Sequence, residues 1–276
     1  MRLNPGLPEL TTPIDGTTLH SVCQGSGDAV LLVHGSLCDY RYWTPQLRSL
    51  SPTHAVHAVS LRHCWPNPSP VPRPETPIDR SYSIEHHAND LVAWLAQHAG
   101  APMHLVGHSR GARVALDVAL RAPHAIRSLT LADVVLPDAE AAPGRSYVAE
   151  AAAAIQRGDI EAGLSRFVDA VNGGNTWRRM IPDFRQMALD NAGTLVLQAA
   201  ETLTLPDPAA VQALTMPLLL IGGSHSPERY ARSRQHLQRW RPDARTVVIA
   251  GAAHGMNLAR PQAFRDALLD FWNAQC

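Results

Sequence analysis

Short apolar runs alternate along the chain with segments of helical period, and this alternation constrains the possible fold more than any other feature. The runs are rich in Val, Leu and Ile, and each ends at or beside Gly, Asp, His or Ser. They predict buried strands of a largely parallel sheet over residues 29–34, 54–60, 103–107, 126–133, 217–222 and 245–250. Intervening helical segments such as 83–98 and 112–121 are long enough to form right-handed crossovers between parallel strands. The alternation therefore predicts an α/β fold with a doubly wound sheet.

Two parts of the chain depart from this alternation. Near the N-terminus, segments 9–14 and 19–23 flank Asp15-Gly16, which is a hairpin turn signal, so antiparallel strands are expected there. Between about residues 137 and 207 strand signals are absent, and three consecutive helices are predicted at 146–157, 160–171 and 184–202. A helical block inserted between two strands most simply covers the carboxyl edge of the sheet.

We therefore expect a helical cap inserted after the sixth strand. The predicted organisation is a core of residues 1–136, a cap of residues 137–207 and a second core part of residues 208–276. The alternative interpretation is a set of helices that covers one face of the sheet.

Charge and composition exclude several functional classes. The chain of 276 residues has 24 basic and 24 acidic residues, so there is no basic surplus to neutralise phosphates, and nucleic acid is not an expected partner. Every basic residue is Arg, which excludes mechanisms that need a catalytic Lys. The longest apolar stretch is far shorter than the ~20 residues of a membrane-spanning helix. With no export signal at its start, the chain is expected to be cytoplasmic and not bound to a membrane.

The cysteines give no indication of a metal or a disulfide framework. Cys23, Cys38, Cys64 and Cys276 are widely spaced, and none forms a Cys-x-x-Cys pair or a Cys/His ladder. We therefore expect reduced thiols, no metal and no cofactor.

The sharpest motif is Gly107-His108-Ser109-Arg110-Gly111, which joins a predicted strand directly to a predicted helix. A Ser on such a tight turn takes a strained backbone conformation that pushes its hydroxyl into the open. Glycines two residues before and after it let the neighbouring chain approach without a clash. Ser109 is therefore the candidate nucleophile.

A serine nucleophile needs a base, and His254 is the best candidate among the 14 histidines. It follows the last predicted strand in a loop of small residues, which places it at the same sheet edge as Ser109. His34-Gly35-Ser36, after the first parallel strand, is expected to supply an oxyanion-binding backbone N–H. We assign the two donors to Ser36 and Arg110, with Leu37 in place of Ser36 if the turn is offset by one residue.

With these motifs in this order, the chain resembles the α/β-hydrolase fold family over nearly its whole length. It looks most like the cap-bearing branch that includes esterases, C–C-bond hydrolases, haloalkane dehalogenases, epoxide hydrolases and cofactor-free dioxygenases. The tight turn between strand and helix is called the nucleophile elbow in this family. The resemblance implies that dehalogenase and epoxide hydrolase members carry Asp at the elbow, so Ser109 argues against those activities. The side chain of Arg110 is expected to point away from the nucleophile and to form structural hydrogen bonds.

The triad acid is the one departure from the family pattern. Many members place it after the strand that precedes the His strand, but residues 220–228 contain no Asp there, and only Glu228 offers a carboxylate. Other members place it one strand earlier, where Asp133 ends a predicted strand. We favour Asp133 over Glu228, with Asp138 third.

The resemblance and the motifs together imply an enzyme that acts on a small molecule. We expect a serine hydrolase that cleaves a small or medium-sized uncharged carboxylic ester, thioester or lactone through a Ser-His-Asp triad, acting as a monomer or a homodimer. One alternative is C–C-bond hydrolysis or cofactor-free oxygenation with the same triad. Another is a ligand receptor that uses the fold without catalysis.

Overall fold

The computed structural model describes residues 3, 6–73, 75–137 and 146–275, which form an eight-stranded sheet flanked by helices. The strands are β1 (Glu9–Ile14), β2 (Thr17–Gln24), β3 (Asp28–Val33), β4 (His54–Ser60), β5 (Met103–His108), β6 (Ile126–Ala132), β7 (Leu218–Gly223) and β8 (Arg245–Ile249). Their order across the sheet is β1-β2-β4-β3-β5-β6-β7-β8. The pairs β1/β2 and β2/β4 are antiparallel, and the remaining pairs are parallel.

The predicted α/β architecture is confirmed. All six predicted apolar runs form strands, and the N-terminal hairpin turns at Asp15-Gly16, where Gly16 has a φ of +71°. Both faces of the sheet are covered by hydrophobic clusters, and each strand contributes to both because its alternate residues face opposite ways. In β3, Leu31 and Val33 pack with one hydrophobic cluster, whereas Val30 and Leu32 pack with another.

The helices connect and cover these strands. They are α1 (Thr44–Leu50), α2 (Ile84–His98), α3 (Arg110–Arg121), α4 (Tyr147–Gln156), α5 (Ile160–Asn172), α6 (Thr176–Arg179), α7 (Pro182–Asp190), α8 (Ala192–Ala199), α9 (Pro208–Gln212), α10 (Glu228–Trp240), α11 (Met256–Ala259) and α12 (Pro261–Asn273). Residues of α2 and α3 belong to the cluster on one sheet face, and residues of α1 and α12 belong to the cluster on the other. No helix in the described ranges is long and apolar enough to cross a membrane.

Helices α4 to α8 lie between β6 and β7 in the chain, at the predicted position after the sixth strand, and we call them the cap helices. They pack around a hydrophobic cluster of their own, which includes Leu164, Phe167 and Leu195. Leu37, from the loop after β3, belongs to the same cluster, so this loop contacts the cap helices directly. The proposed division of the chain at residues 137 and 207 stays a prediction.

One helix prediction in the cap was wrong. Residues 184–202 do not form a single helix, because α7 ends and α8 begins around Asn191, which has a φ of −106° and a ψ of 10°. The buried side chain of Asn191 accepts a hydrogen bond from the Trp65 N–H at 2.8 Å and donates one to Asp39 Oδ2 at 2.8 Å. These tertiary contacts hold the break in place. The short helix α6 was also not predicted.

Candidate active site

Ser109 lies between the end of β5 and the start of α3 in a backbone conformation that few residues adopt. Its φ is 56° and its ψ is −122°. Its N–H donates to the Ala132 carbonyl at 2.8 Å, and its own carbonyl accepts from the Ala112 N–H at 3.0 Å. This conformation is strained for an L-amino acid, and the hydrogen bonds to β6 and α3 hold the residue in it.

Gly107 and Gly111 are required by the close packing around this turn. A Cβ on Gly107 would clash with the Gly111 carbonyl oxygen, and a Cβ on Gly111 would clash with the carbonyl oxygens of Val33 and His34. The end of β3 and the turn at Ser109 therefore touch through backbone atoms alone. The glycine spacing in the motif reflects this contact.

His254 and Asp133 meet at the same edge of the sheet. His254 Nδ1 lies 3.0 Å from Asp133 Oδ2, and the two residues are 5% and 2% exposed. Asp133 directly follows β6 and has a φ of 41°, a conformation that Asp tolerates better than most residues. Because β5, β6, β7 and β8 are neighbours in the sheet, the loops after them converge on one place.

The segment after β7, which lacks the carboxylate common at this position, contributes Ser226. The Ser226 hydroxyl donates to Asp133 Oδ2 at 2.5 Å, so the same carboxylate oxygen contacts both Ser226 and His254. Sequence reasoning missed this residue because a Ser in a Gly/Ser-rich turn carries no distinct signal.

Glu228, the other candidate acid within the described residues, is not brought to His254. The Glu228 side chain is 82% exposed at the start of α10 and lies 3.3 Å from Arg232, one helical turn further on. Asp138 lies outside the described residues. Of the described candidates, Asp133 is the carboxylate that contacts the imidazole.

The loop after β3 approaches Ser109 closely. A Cβ on Gly35 would lie 3.0 Å from the Ser109 Cβ, and Ser36 and Leu37 both line the cavity that Ser109 lines. Leu37 has a positive φ of 59°. Arg110 is the first residue of α3, so its N–H is one of the helix donors that have no partner within the helix. Backbone donors from the loop and from the helix start are thus available near Ser109.

A buried hydrogen-bond chain fixes the loop that carries His254. His108 Nε2 donates to the His254 carbonyl at 2.8 Å, and its Nδ1 lies 3.2 Å from the Tyr42 hydroxyl. Tyr42 in turn donates to Asn257 Oδ1 at 2.7 Å. Burial, together with the neighbouring His254 ring, lowers the pKa of His108 well below its usual value, so His108 is neutral at pH 7.

Two aromatic rings flank the imidazole of His254. The Tyr230 ring from α10 stacks on it with a centroid distance of 4.2 Å and an interplanar angle of 14°. The His108 ring lies 4.5 Å away at 40°. The Arg229 guanidinium, which donates to the Ala170 carbonyl of α5, lies 4.9 Å from the Tyr147 ring and 5.1 Å from the Tyr230 ring. Tyr230 therefore links the imidazole to the cap helices.

Three other polar residues near the elbow have structural contacts. The Arg110 side chain forms a buried ion pair at 2.6 Å with Glu201, which follows α8. His34 Nε2 accepts from the Leu61 N–H at 3.0 Å, and its Nδ1 donates to the Gly35 carbonyl at 2.8 Å. Burial raises the pKa of Cys38 well above its usual value, which keeps this thiol protonated.

Ser109 and His254 line one cavity of about 490 Å³. Its walls are mainly apolar, and the cap helices contribute many of them, including Phe167, Val168, Val171, Met180 and Phe184. A hydroxyl and an imidazole that line one cavity, with a carboxylate against the imidazole, are the groups that proton transfer from the hydroxyl to the imidazole requires, since the carboxylate holds the imidazole tautomer. The arrangement is thus suited to nucleophilic attack on an electrophile bound in the cavity.

Several known proteins that resemble this chain in sequence or fold are named as hydrolases. A 2-(acetamidomethylene)succinate hydrolase from Mesorhizobium japonicum is 27% identical over 278 residues, covering 93% of this chain and 92% of that protein. A pimeloyl-(acyl-carrier protein) methyl ester esterase from Neisseria meningitidis is 26% identical over 255 residues, covering 88% and 92%. The solved structure of a hydrolase from Pseudomonas aeruginosa PA01 matches with a TM-score of 0.77 at 22% identity, covering 97% of this chain and 98% of that one.

The family comparison agrees with the fold. The sequence profile described as the alpha/beta hydrolase family matches residues 30–267, which include every parallel strand from β4 to β8, most of β3, and both Ser109 and His254. This chain is therefore a hydrolytic enzyme that belongs to the alpha/beta hydrolase family.

Proposed function

We propose that this protein is a serine hydrolase that cleaves a small or medium-sized carboxylic ester, thioester or lactone whose reacting part is uncharged. Ser109 is the nucleophile, His254 the general base and Asp133 the residue that orients His254. The single observation that carries the proposal is the 3.0 Å contact between His254 Nδ1 and Asp133, made at the cavity that Ser109 also lines.

The chemistry follows from this order of groups. With Nδ1–H donated to Asp133, the Nε2 of His254 is the free acceptor that takes the Ser109 proton as Oγ attacks the substrate carbonyl carbon. The resulting imidazolium returns that proton to the leaving oxygen or sulfur as the tetrahedral intermediate collapses. Water, deprotonated by the same His254, then hydrolyses the acyl-enzyme and regenerates Ser109.

The negative charge on the substrate oxygen needs donors that are already in place. We assign this role to the backbone N–H groups of Ser36 and Arg110, with Leu37 in place of Ser36 as the alternative. Arg110 has the advantage that its N–H lies at the start of α3, where the helix dipole favours negative charge.

The character of the cavity supports an ester, thioester or lactone with an apolar acyl part. Its volume of about 490 Å³ suits a substrate of small or medium size, and its apolar walls favour uncharged carbon next to Ser109. The esterase name of the Neisseria relative also supports ester hydrolysis.

A fluorophosphonate probe tests this function directly. An activated serine attacks the phosphorus and loses fluoride, so we expect the intact mass of the protein to rise by one probe equivalent, with the label on Ser109. Peptide mapping identifies the modified residue. A protein that binds ligands but is never labelled is a receptor, and that result would overturn the proposed hydrolase.

Tyr230 offers a second test, because its ring faces the proposed base. Replacing Tyr230 with Leu removes the stacked ring, which both restricts the imidazole and attracts the imidazolium that forms during attack. We expect kcat to fall about fivefold with KM nearly unchanged, since a cation–π contact of this kind is worth about 1 kcal/mol. The matched variant Tyr230→Phe keeps the ring and should retain kcat within about twofold. Equal losses in the two variants would refute a role for the ring face.

A further inference from the structure

We propose that the substrate carries a carboxylate, separated from its reacting carbonyl by an apolar carbon chain, and that Arg179 binds this carboxylate. This proposal rests on the proposed ester hydrolysis, and it replaces the uncharged substrate expected from the sequence by one whose reacting ester is uncharged but whose acyl chain is anionic. Arg179 is the one cationic side chain among the lining residues that the structure describes, and none of these residues is Asp or Glu.

Arg179 is held in a defined position without being neutralised. Its Nε donates to the Asn175 carbonyl at 3.1 Å and its Nη2 donates to the Gly174 carbonyl at 3.2 Å. Within the described ranges, no carboxylate pairs with it. A guanidinium has five N–H donors, so three remain for a ligand, and the full positive charge is retained.

The neighbouring cations of the cap helices lack this combination. Arg166 is paired with Glu150 and does not line the cavity. Arg185 donates to the Trp177 carbonyl from both Nε and Nη2, and it does not line the cavity either. Arg178 is exposed on the same helix as Arg179 but does not line the cavity. Only Arg179 among these four combines position at the cavity with an unpaired charge.

The cavity therefore offers two different environments to parts of one molecule. At Ser109 the walls are apolar, with Val171 and Phe167 among them, and a charge there would be desolvated without a partner. Arg179 is exposed, so a carboxylate beside it stays partly hydrated while it accepts charge-assisted hydrogen bonds. An acyl chain that is apolar in the middle and anionic at its far end satisfies both regions.

A fixed nucleophile and a fixed cation also imply a preferred chain length. Substrates that are too short leave the carboxylate among apolar walls, and substrates that are too long carry it past the guanidinium into water. The preference for anionic over neutral acyl chains should therefore peak at one length. A cation acting only through the general field of the protein surface would produce no such peak.

Monomethyl esters of straight-chain dicarboxylic acids, from succinate to suberate, provide the test. Each is compared with the methyl ester of the monocarboxylic acid of equal chain length, and kcat/KM is measured by acid release. We expect the anionic-to-neutral ratio of wild-type enzyme to reach about fivefold at one length, the scale of a partly exposed ion pair. Arg179→Gln should bring the ratio to about one or below at every length, whereas the control Arg178→Gln should keep the peak.

The outcomes distinguish the role of Arg179 from the proposed ester hydrolysis on which it rests. Hydrolysis of the neutral esters with no anionic preference at any length, or equal losses in the two Arg variants, overturns the role of Arg179 and leaves the esterase standing. Failure to hydrolyse either series, with no fluorophosphonate labelling of Ser109, overturns both the role of Arg179 and the proposed serine hydrolase. Addition of 0.5 M salt should lower the ratio, because an exposed pair is screened at about 4 Å Debye length.

Discussion

Replacing Ser109 with Ala is expected to lower kcat for an activated ester, such as p-nitrophenyl acetate or butyrate, on the order of 10⁵-fold. The substitution removes the hydroxyl that we propose forms the acyl-enzyme, while His254 and the backbone donors stay in place. Loss of the nucleophile in other serine hydrolases has effects of this size, and the residual rate comes from binding and oxyanion stabilisation. Initial rates of p-nitrophenol release measure the effect.

The fold should survive this substitution. Ala has no group that needs a partner, and the backbone hydrogen bonds of residue 109 to Ala132 and Ala112 do not involve the side chain. Ser51→Ala, at the end of α1 and away from the cavity, is the matched control and should keep full activity. A Ser109→Ala enzyme that keeps more than a tenth of the wild-type rate would contradict the proposed nucleophile.

The second large effect is expected for Asp133→Asn, with a loss in kcat on the order of 10³- to 10⁴-fold. Asn is the same size as Asp and also tolerates the positive φ of 41° at this position, so the loop is preserved. Its amide N–H can donate a hydrogen bond to His254 Nδ1, which would place the imidazole proton on Nε2, where the proposed mechanism needs an acceptor for the Ser109 proton. It also removes the negative charge that stabilises the imidazolium.

Glu228→Gln is the control that separates the two carboxylates. The Glu228 side chain is largely exposed and interacts with Arg232, so its loss should change kcat less than about twofold. Both variants are assayed on the same ester after their midpoints of urea unfolding have been compared. A large loss in Glu228→Gln, together with an active Asp133→Asn enzyme, would show that the triad acid is misassigned.

Much of the fold could be predicted from local patterns. Strands that are buried on both faces are continuous apolar runs, and their crossover helices have a clear 3.6-residue period, so both signals are strong in a single sequence. The elbow was also visible locally, because a Ser between a strand and a helix needs glycines at fixed offsets. The order of the motifs then placed Ser109 and His254 at the carboxyl ends of parallel strands.

Other features depend on contacts between distant parts of the chain. The break between α7 and α8 is held by hydrogen bonds of Asn191 to Trp65 and Asp39, more than a hundred positions away, and the helical pattern of residues 184–202 gives no sign of it. Tyr230 and Ser226 carry no motif, yet both contact the His254 and Asp133 pair. Met180 lines the cavity, whereas Trp43, Trp177 and Met256, which have equally apolar side chains, are buried in hydrophobic clusters.

The sequence by itself determined the kind of fold, the nucleophile elbow and the set of residues that could act with it. Each of these is indicated by hydrophobic periodicity or by a short motif, and both are local properties of the chain. Only the tertiary structure decided which carboxylate contacts His254, which ring stacks on it and which arginine stands unpaired at the cavity. The physical reason is that hydrogen bonding and ring stacking act over 3 to 5 Å in space. Residues 133, 230 and 254 come within that range, and Ser109 reaches the same cavity as His254, only after the sheet has assembled.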